Sequence, residues 1–371
     1  MIKFSCEKYL LHSAVATAAR CAASKSPIPS LEGLLIEAGN NVRITGYDLK
    51  KGIYTSIDAD VTSPGAIVLS ARLFGDIIRS LPDGIVTVSC DKNNLTRITC
   101  GNADFSIMGT EAQDYPELPS VDTQSSISIG QGVLREMIGQ TIFAVSDNES
   151  RAVYTGSLFE IENGEITIVS VDGYRLALRK EELEGASAEK CSFIVPGAAL
   201  SDLEKICSDS EEPVKITLGS KHISFAIENT VLISRRLEGE FLNYKKSIPS
   251  SFGVKVVADR SELTRVVERV SLIIDDKIKN PLRCTFGDEI IKLLCVTSRG
   301  RAEDMCPVEG VGGELEIGFN NKYLLDSLKA APADKLVLCL NSGSSPCVIV
   351  PEDGSDKFTY MILPVRLKAG E

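Results

Sequence analysis

The sequence predicts an α+β protein made of three similar domains, each with two helices packed on a sheet. Three observations predict it. One kind of helix is written three times at about a third of the chain length, a strand pair recurs with the same spacing, and a strand-rich segment closes each third. The first helix of each third carries one apolar stripe. Leu10, Leu11, Ala14, Val15, Ala18 and Ala19 form it in the first copy. Leu134, Met137, Ile138, Thr141 and Ile142 form it in the second, and Leu263, Val266, Val267 and Val270 in the third, at the spacing of one buried helical face. A strand pair follows: GLLIEAGNNVRITGYDL (33–49), GSLFEIENGEITIVSVDGYRL (156–176) and CTFGDEIIKLLCVTSRGR (284–301). Each is a β-rich run, a polar or glycine-containing turn and a second β-rich run, so each predicts a hairpin. The second helix reads SARLFGDIIRSLP (70–82), PGAALSDLEKICS (196–208) and NNKYLLDSLKAAP (320–332), starting 126 and then 124 residues apart.

Strand-rich stretches come next: VTVSCDKNNLTRITC, VKITLGSKHISFAI and LVLCLNSGSSPCVIV. The first two copies then end on tyrosine-proline segments, DYPELP (114–119) and NYKKSIP (243–249). The expected domains are 1–122, 123–249 and 250–371. A repeat this long exceeds the 20–50 residues of a solenoid unit, so each copy buries its own core. Copies joined head to tail close into a ring if the rotation closes.

Composition limits the function classes. The chain has 371 residues, 43% of them apolar and 25% charged, as in an ordinary soluble globular protein. No run approaches the roughly 18 uncharged apolar residues of a membrane span. The start, MIKFSCEKYLLHSAVATAARCAA, imitates a signal peptide, but Glu7, Lys8, His12 and Arg20 interrupt it. Eleven scattered cysteines without a CxxC pair read as small buried hydrophobes of a reducing, cytoplasmic compartment. The only histidines, His12 and His222, are far from one another and from any cysteine pair, so neither a metal nor a cofactor is expected. No GxxxxGK[ST] loop and no nucleophile–histidine pairing marks an active site, and GVGG (310–313) reads as a turn. Asp275-Asp276 and Glu211-Glu212 read as solvated charge. An enzyme at a domain junction, or a triplicated scaffold without a DNA partner, remain the alternatives to a binding ring.

The triplication, VDGYRLAL (171–178), FNNKYLLDSL (319–328) and MILPVRL (361–367) together resemble the bacterial sliding clamps, the beta subunits of DNA polymerase III, from Met1 to Leu367. The resemblance implies a homodimeric ring of six domains around duplex DNA, with helices lining the hole. Its implied partners are a second copy, the polymerase catalytic subunit, the clamp loader and repair proteins that bring short peptides, with no membrane. It implies an accessory subunit without catalytic residues. Formal net charge is −11, divided −3, −6 and −2 among the three domains. A ring held topologically needs only a positive lining, for which Lys8, Arg20, Arg265, Arg269, Lys322 and Lys329 are further helical candidates. The DNA positions implied by the resemblance are Lys25, Arg72, Arg79, Asn148 and Arg151, and in the middle copy PGAALSDLEKICS adds only Lys205.

The resemblance also implies a peptide pocket between the second and third domains. Its residues are Tyr154, Val171, Gly173, Tyr174, Arg175 and Leu176, then Leu242, Lys246, Ser247, Ile278, Asn320, Tyr323, Gly343 and Ser345. The tail Met361, Ile362, Leu363, Pro364, Val365, Arg366 and Leu367 completes it. Such a pocket is an apolar groove with a few polar fixers, Arg175 or Asn320 holding a polar residue of the peptide. Leu242, Tyr174 and Ser247 stand where the family more often has proline, histidine and valine. Pro364 predicts that the chain leaves the last sheet there, with Met361, Leu363 and Val365 turned to a groove floored by Val171 and Leu176. Phe105, Leu272 and Ile273 match the apolar contact between subunits.

Overall fold

The computed structural model describes residues 2–183, 190–275 and 280–367. Within them lie six α-helices: α1 (Lys8–Ala18), α2 (Ala71–Ser80), α3 (Gln131–Gly139), α4 (Gly197–Ile206), α5 (Arg260–Ser271) and α6 (Asn321–Ala330). Local chemistry sets their ends. Ser70, Asp259 and Asn320 each accept backbone N–H groups of the first turn, Asp259 from Glu262 at 2.8 Å and Asn320 from Lys322 at 3.0 Å. Prolines 82 and 332 follow α2 and α6 closely and bar their continuation. In α3 the apolar stripe outruns the helix. The Thr141 hydroxyl bonds back to the Met137 carbonyl at 2.8 Å, and Ile142 opens a short 3-10 turn, so the last two stripe positions lie beyond the α-helix.

The chain forms two compact units, one of residues 1–135 with 202–236 and one of 136–201 with 237–371. The division runs through α3 and α4. In the first unit, a five-stranded sheet has the order 60–63, 2–7, 85–90, 95–100, 103–108. An eight-stranded sheet has the order 125–130, 213–218, 222–227, 230–235, 51–57, 42–47, 33–38, 65–70. Leu11, Val15 and Ala18 of α1 and Phe74 and Ile78 of α2 share one core with Phe4 and Val88 of the smaller sheet and Ile36 and Leu69 of the larger.

The second unit holds one twelve-stranded sheet: 191–196, 156–162, 165–171, 175–182, 358–362, 347–351, 335–340, 254–259, 300–311, 290–297, 282–286, 315–319. Its main core gathers Leu263, Val267 and Val270 of α5 and Leu324 and Leu328 of α6 against Val256, Leu293, Ile317 and Leu338.

The repeat explains how the sheets become so long. The strand after the first turn, 51–57, pairs antiparallel with the last strand of the second copy, from Thr230 opposite Thr55 to Ser234 opposite Lys51. The strand after the second turn, 175–182, pairs likewise with the last strand of the third copy, from Arg175 opposite Ile362 to Arg179 opposite Phe358. Main-chain hydrogen bonds thus run across both junctions between copies. Strand 103–108 ends its sheet, and strand 300–311 pairs with 254–259 only over its last four residues.

Ten of the eleven cysteines are buried and Cys191 is half-buried. Burial pushes the thiols of Cys21 and Cys207 up to about 12 and that of Cys6 up to about 11, so they pack as hydrophobes.

Candidate functional site

The predicted groove residues converge in the second unit. Val171, Leu176 and Met361 belong to one apolar cluster with Leu158, Val169, Leu178, Ile194, Tyr244, Cys339 and Val348, and Val153, Phe241, Ile248 and Val350 border it. This is the sheet face opposite to the main core, because alternate residues of a strand face opposite ways. Ile362 therefore falls in the main core while Met361 falls in the groove cluster, which corrects the placing of Ile362 in the pocket. Tyr154 packs edge-on against Phe241 with ring centroids 5.6 Å apart. Leu242 and Lys246 are exposed, and the hydroxyl of Ser247 lies 3.5 Å from the Asn243 carbonyl. Ile278 lies outside the described residues.

The rim is built by the 172–175 turn. The Asp172 carboxylate accepts the amides of Tyr174 at 2.8 Å and Arg175 at 2.9 Å. Gly173 sits at φ +93°, a conformation that costs glycine nothing. The turn leaves Tyr174 62% exposed, its ring stacked on Tyr323 at 6.2 Å. Burial, with Asp172 nearby, raises the Tyr323 pKa, so its phenol stays protonated.

Arg175 plays a different part from the expected one. Only 8% exposed, it donates to Asp172 at 3.0 Å, to Asp326 at 2.6 Å and to the Phe143 carbonyl, and it lies 4.4 Å from the Tyr323 ring centre. The guanidinium is committed to the protein, so it holds the groove together rather than a ligand's polar group. Asn320 is partly committed too, because its Oδ1 caps α6. Any bond to a peptide falls to its amide NH2.

The tail leaves the sheet at the predicted place. Strand Phe358–Ile362 ends, the Leu363 N–H donates to the Tyr174 carbonyl at 2.8 Å, and Val365 N–H donates to the Gly318 carbonyl at 2.8 Å. Val365 thus turns to strand 315–319 instead of the groove floor. A Cβ on Gly318 would collide with Leu367 and the Val365 carbonyl, so the glycine makes room for the tail. Gly343 likewise admits the Glu316 carbonyl. Ser345 bonds to the Ser342 hydroxyl at 2.8 Å, fixing the neighbouring turn.

The cationic candidates lie on exposed helix faces and loops. Arg72 and Arg79 share the exposed face of α2, and Lys25 is exposed in the loop after α1. Arg79 pairs with Asp76 at 2.7 Å, Lys8 with Asp83 at 3.6 Å, Arg269 with Asp304 at 2.7 Å and Lys329 with Glu268 at 2.7 Å. Exposed pairs of this kind are worth at most about 1 kcal/mol and exchange readily for other anions. In the second unit, Asn148 caps its own turn by accepting the Ser150 amide at 3.0 Å, and Arg151 is exposed beside it. Phe105 is 37% exposed on strand 103–108, Leu272 is 81% exposed after α5, and Ile273 packs partly on the core. His12 lies half-buried on α1 and His222 opens a strand. Among the described residues, no three His, Cys, Asp or Glu side chains are grouped to hold a metal, and no helix is long and apolar enough to cross a membrane.

Models of three domains of one family cover the chain in order. The DNA polymerase III beta subunit N-terminal domain matches residues 2–119, the central domain 128–243 and the C-terminal domain 245–366. The chain belongs to the DNA polymerase III beta subunit family. The beta sliding clamp of Staphylococcus aureus is 33% identical over 353 residues, 92% of this chain and 93% of that one. Among solved structures, the sliding clamp of Bacillus subtilis superimposes with a TM-score of 0.94 at 29% identity, covering 99% of this chain and all of that one. A DNA polymerase III beta subunit from Eubacterium rectale gives 0.93 at 32%, with the same coverage. Sliding-clamp membership makes the chain an accessory factor of replication rather than a polymerase. Groove residues that sequence reasoning missed, among them Tyr244, Cys339, Val348 and Phe241, lie on strands and a connector shared with ordinary packing. The alternation in KLVLCL (335–340) could have marked Val337 and Cys339 as facing away from the main core.

Proposed function

We propose that two copies of this chain close head to tail into a six-domain ring around duplex DNA, with domains 1–122, 123–249 and 250–371, and that partners dock short peptides in the groove floored by Val171, Leu176 and Met361. The observation that carries the reading is the repeated junction. Twice within the chain, the strand after a turn adds the last strand of the next copy. The same rule applied once more pairs the free part of strand 300–311 with strand 103–108 of a second copy. Phe105 and Met108 on that edge, with Leu272, Ile273 and Met305 opposite, supply exposed apolar area that an obligate contact would bury. A second such contact closes the ring.

Within the ring, Lys25, Arg72, Arg79, Asn148 and Arg151 face the duplex and touch phosphates loosely. A topologically held protein needs no tight grip, and its net charge of −11 keeps the remaining surface from sticking to DNA. The groove takes one or two apolar or aromatic side chains of a linear peptide, with the exposed Tyr174 ring as one wall. The polymerase catalytic subunit, the clamp loader and repair proteins are the partners this chemistry fits. The test is retention on nicked circular DNA after loading. A ring stays on the circle and is lost when one cut linearises it. Equal retention on circular and linear DNA overturns the reading.

A further inference from the structure

One ion-pair geometry occurs twice. In the first copy the Asp48 carboxylate accepts the amides of Lys50 at 2.9 Å and Lys51 at 2.8 Å, as Asp172 does for Tyr174 and Arg175. The residue between is left-handed in both, Leu49 at φ +70° and Gly173 at φ +93°. Each turn delivers a cation at the first position of the next strand. Lys51 pairs with Asp202 and reaches the Arg20 carbonyl at 3.4 Å, while Arg175 pairs with Asp326 and the Phe143 carbonyl. Both carbonyls belong to the 3-10 turn after the first helix of their copy. Asp202 and Asp326 are the sixth residues of α4 and α6. The side chains of Lys51, Asp202 and Arg175 are 16%, 11% and 8% exposed, so each charge depends on its partner.

The third set is incomplete. Asp76 is the sixth residue of α2, but it is exposed and pairs with Arg79 of its own helix. The facing pairs that enclose four turn residues are Tyr47 with Gly52, Val171 with Leu176 and, in the third copy, Val296 with Arg301. The place of Lys51 and Arg175 is then taken by Gly300, which has no side chain. Arg299 pairs with Asp275 and Arg301 with Glu303.

We infer that Lys51–Asp202 and Arg175–Asp326 are two copies of one latch that positions the sheet junctions within the chain, and that the junction between two copies of the chain is built without it. Only the last clause rests on the ring reading. The latch ties the helix of one copy to the turn of the preceding copy, so the strand pairing beside it cannot slide or part. The unlatched junction is the one left free to open. Arg175 and Asp326 act on the groove as positioning residues, holding the turn that carries Tyr174 against α6.

The experiment is a pair of double-mutant cycles in the full-length chain, Lys51→Met with Asp202→Leu and Arg175→Met with Asp326→Leu. Amide exchange is followed in strands 230–235 and 358–362, and peptide affinity by fluorescence anisotropy. Each single variant speeds exchange at its own junction about tenfold or more, and the double variant exchanges no faster than the worse single. The Arg175 cycle also weakens peptide binding, and the Lys51 cycle leaves it unchanged. Strictly additive effects overturn the latch. If Arg175→Met does not fold, Arg175→Lys with Asp326→Asn completes the same cycle. For the open junction, Asp76→Asn leaves the dimer dissociation constant measured by sedimentation unchanged, and a loss of about tenfold overturns that clause. None of the three readouts involves DNA, so failure of the circle test leaves the latch result standing.

Discussion

Removing residues 363–371 separates groove formation from assembly. The truncation takes away two main-chain hydrogen bonds, Leu363 to the Tyr174 carbonyl and Val365 to the Gly318 carbonyl, worth about 1 kcal/mol each. It also exposes what the half-buried Leu363, Pro364, Val365 and Leu367 cover, about 1 kcal/mol apiece from area. Denatured chains are compact, so that sum is an upper bound and a loss of about 4 kcal/mol is expected. The strand Phe358–Ile362 remains in the middle of its sheet, so the fold persists. A docked peptide loses one wall of its site. Half of one anchor's burial and a share of the second amount to about 2–3 kcal/mol, or roughly 30- to 150-fold in affinity. The assay is anisotropy of a fluorescent peptide from the polymerase's clamp-binding segment, beside sedimentation of the same preparation. Unchanged peptide affinity refutes the placing of the tail in the groove. Loss of the dimer along with the peptide refutes the separation of the two surfaces.

Polar replacement of both Leu272 and Ile273 yields monomers by sedimentation, because the subunit contact loses apolar area and gains unpaired polar atoms. Charge reversal of Arg72 and Arg79 shortens retention on circular DNA, and raising salt narrows the difference from wild type as the phosphate contacts are screened. Asp259→Ala removes the cap of α5 and costs about 1 kcal/mol in urea unfolding at neutral pH. The Glu262 amide and the Ser261 hydroxyl hold the Asp259 carboxyl below its usual 3.8. The cap's contribution is therefore full above that value and lost as pH falls through the lower folded value, so wild type and variant converge in acid. Alkylation of the native protein at pH 8 labels Cys191 first, since the other ten thiols are buried.

The triplication and the hairpins were legible because periodicity and turn chemistry are local. Asp48 and Asp172 mark the same turn in the sequence and in space. The helix caps at Asp259 and Asn320 were equally local. What sequence could not show was allegiance across copies. Nothing in KGIYTSI says that it will take the strand TVLISR from the next copy, because every strand offers the same backbone donors and acceptors. Arg175 reads as a surface cation in VDGYRLAL, and only the arrival of Asp326 and the Phe143 carbonyl makes it a buried pin. Ile362 and Met361 are both apolar, and the pleat alone sends one to the core and the other to the groove.

The two equivalent junctions are packed by the same positions in opposite ways. Tyr47, Leu31, Val68 and Tyr115 form a small cluster at the first junction, in the manner of Val171 and Tyr244 at the second. Counting from Tyr115 and Tyr244, Leu118 corresponds to Ser247, and Gly52 corresponds to Leu176. The two positions have exchanged sizes. Gly52 has no side chain, and a Cβ there would collide with Leu118, so the connector's own leucine fills the hollow. At the second junction Leu176 stands in place of the glycine and packs, 1% exposed, in one cluster with Val171, Tyr244 and Met361, while the short Ser247 stands in place of the leucine. At the first junction the connector's leucine fills the space beside a glycine, whereas at the second the strand's own leucine fills it and the connector contributes a serine. The two junctions thus keep one backbone topology while the apolar volume moves from the connector to the strand.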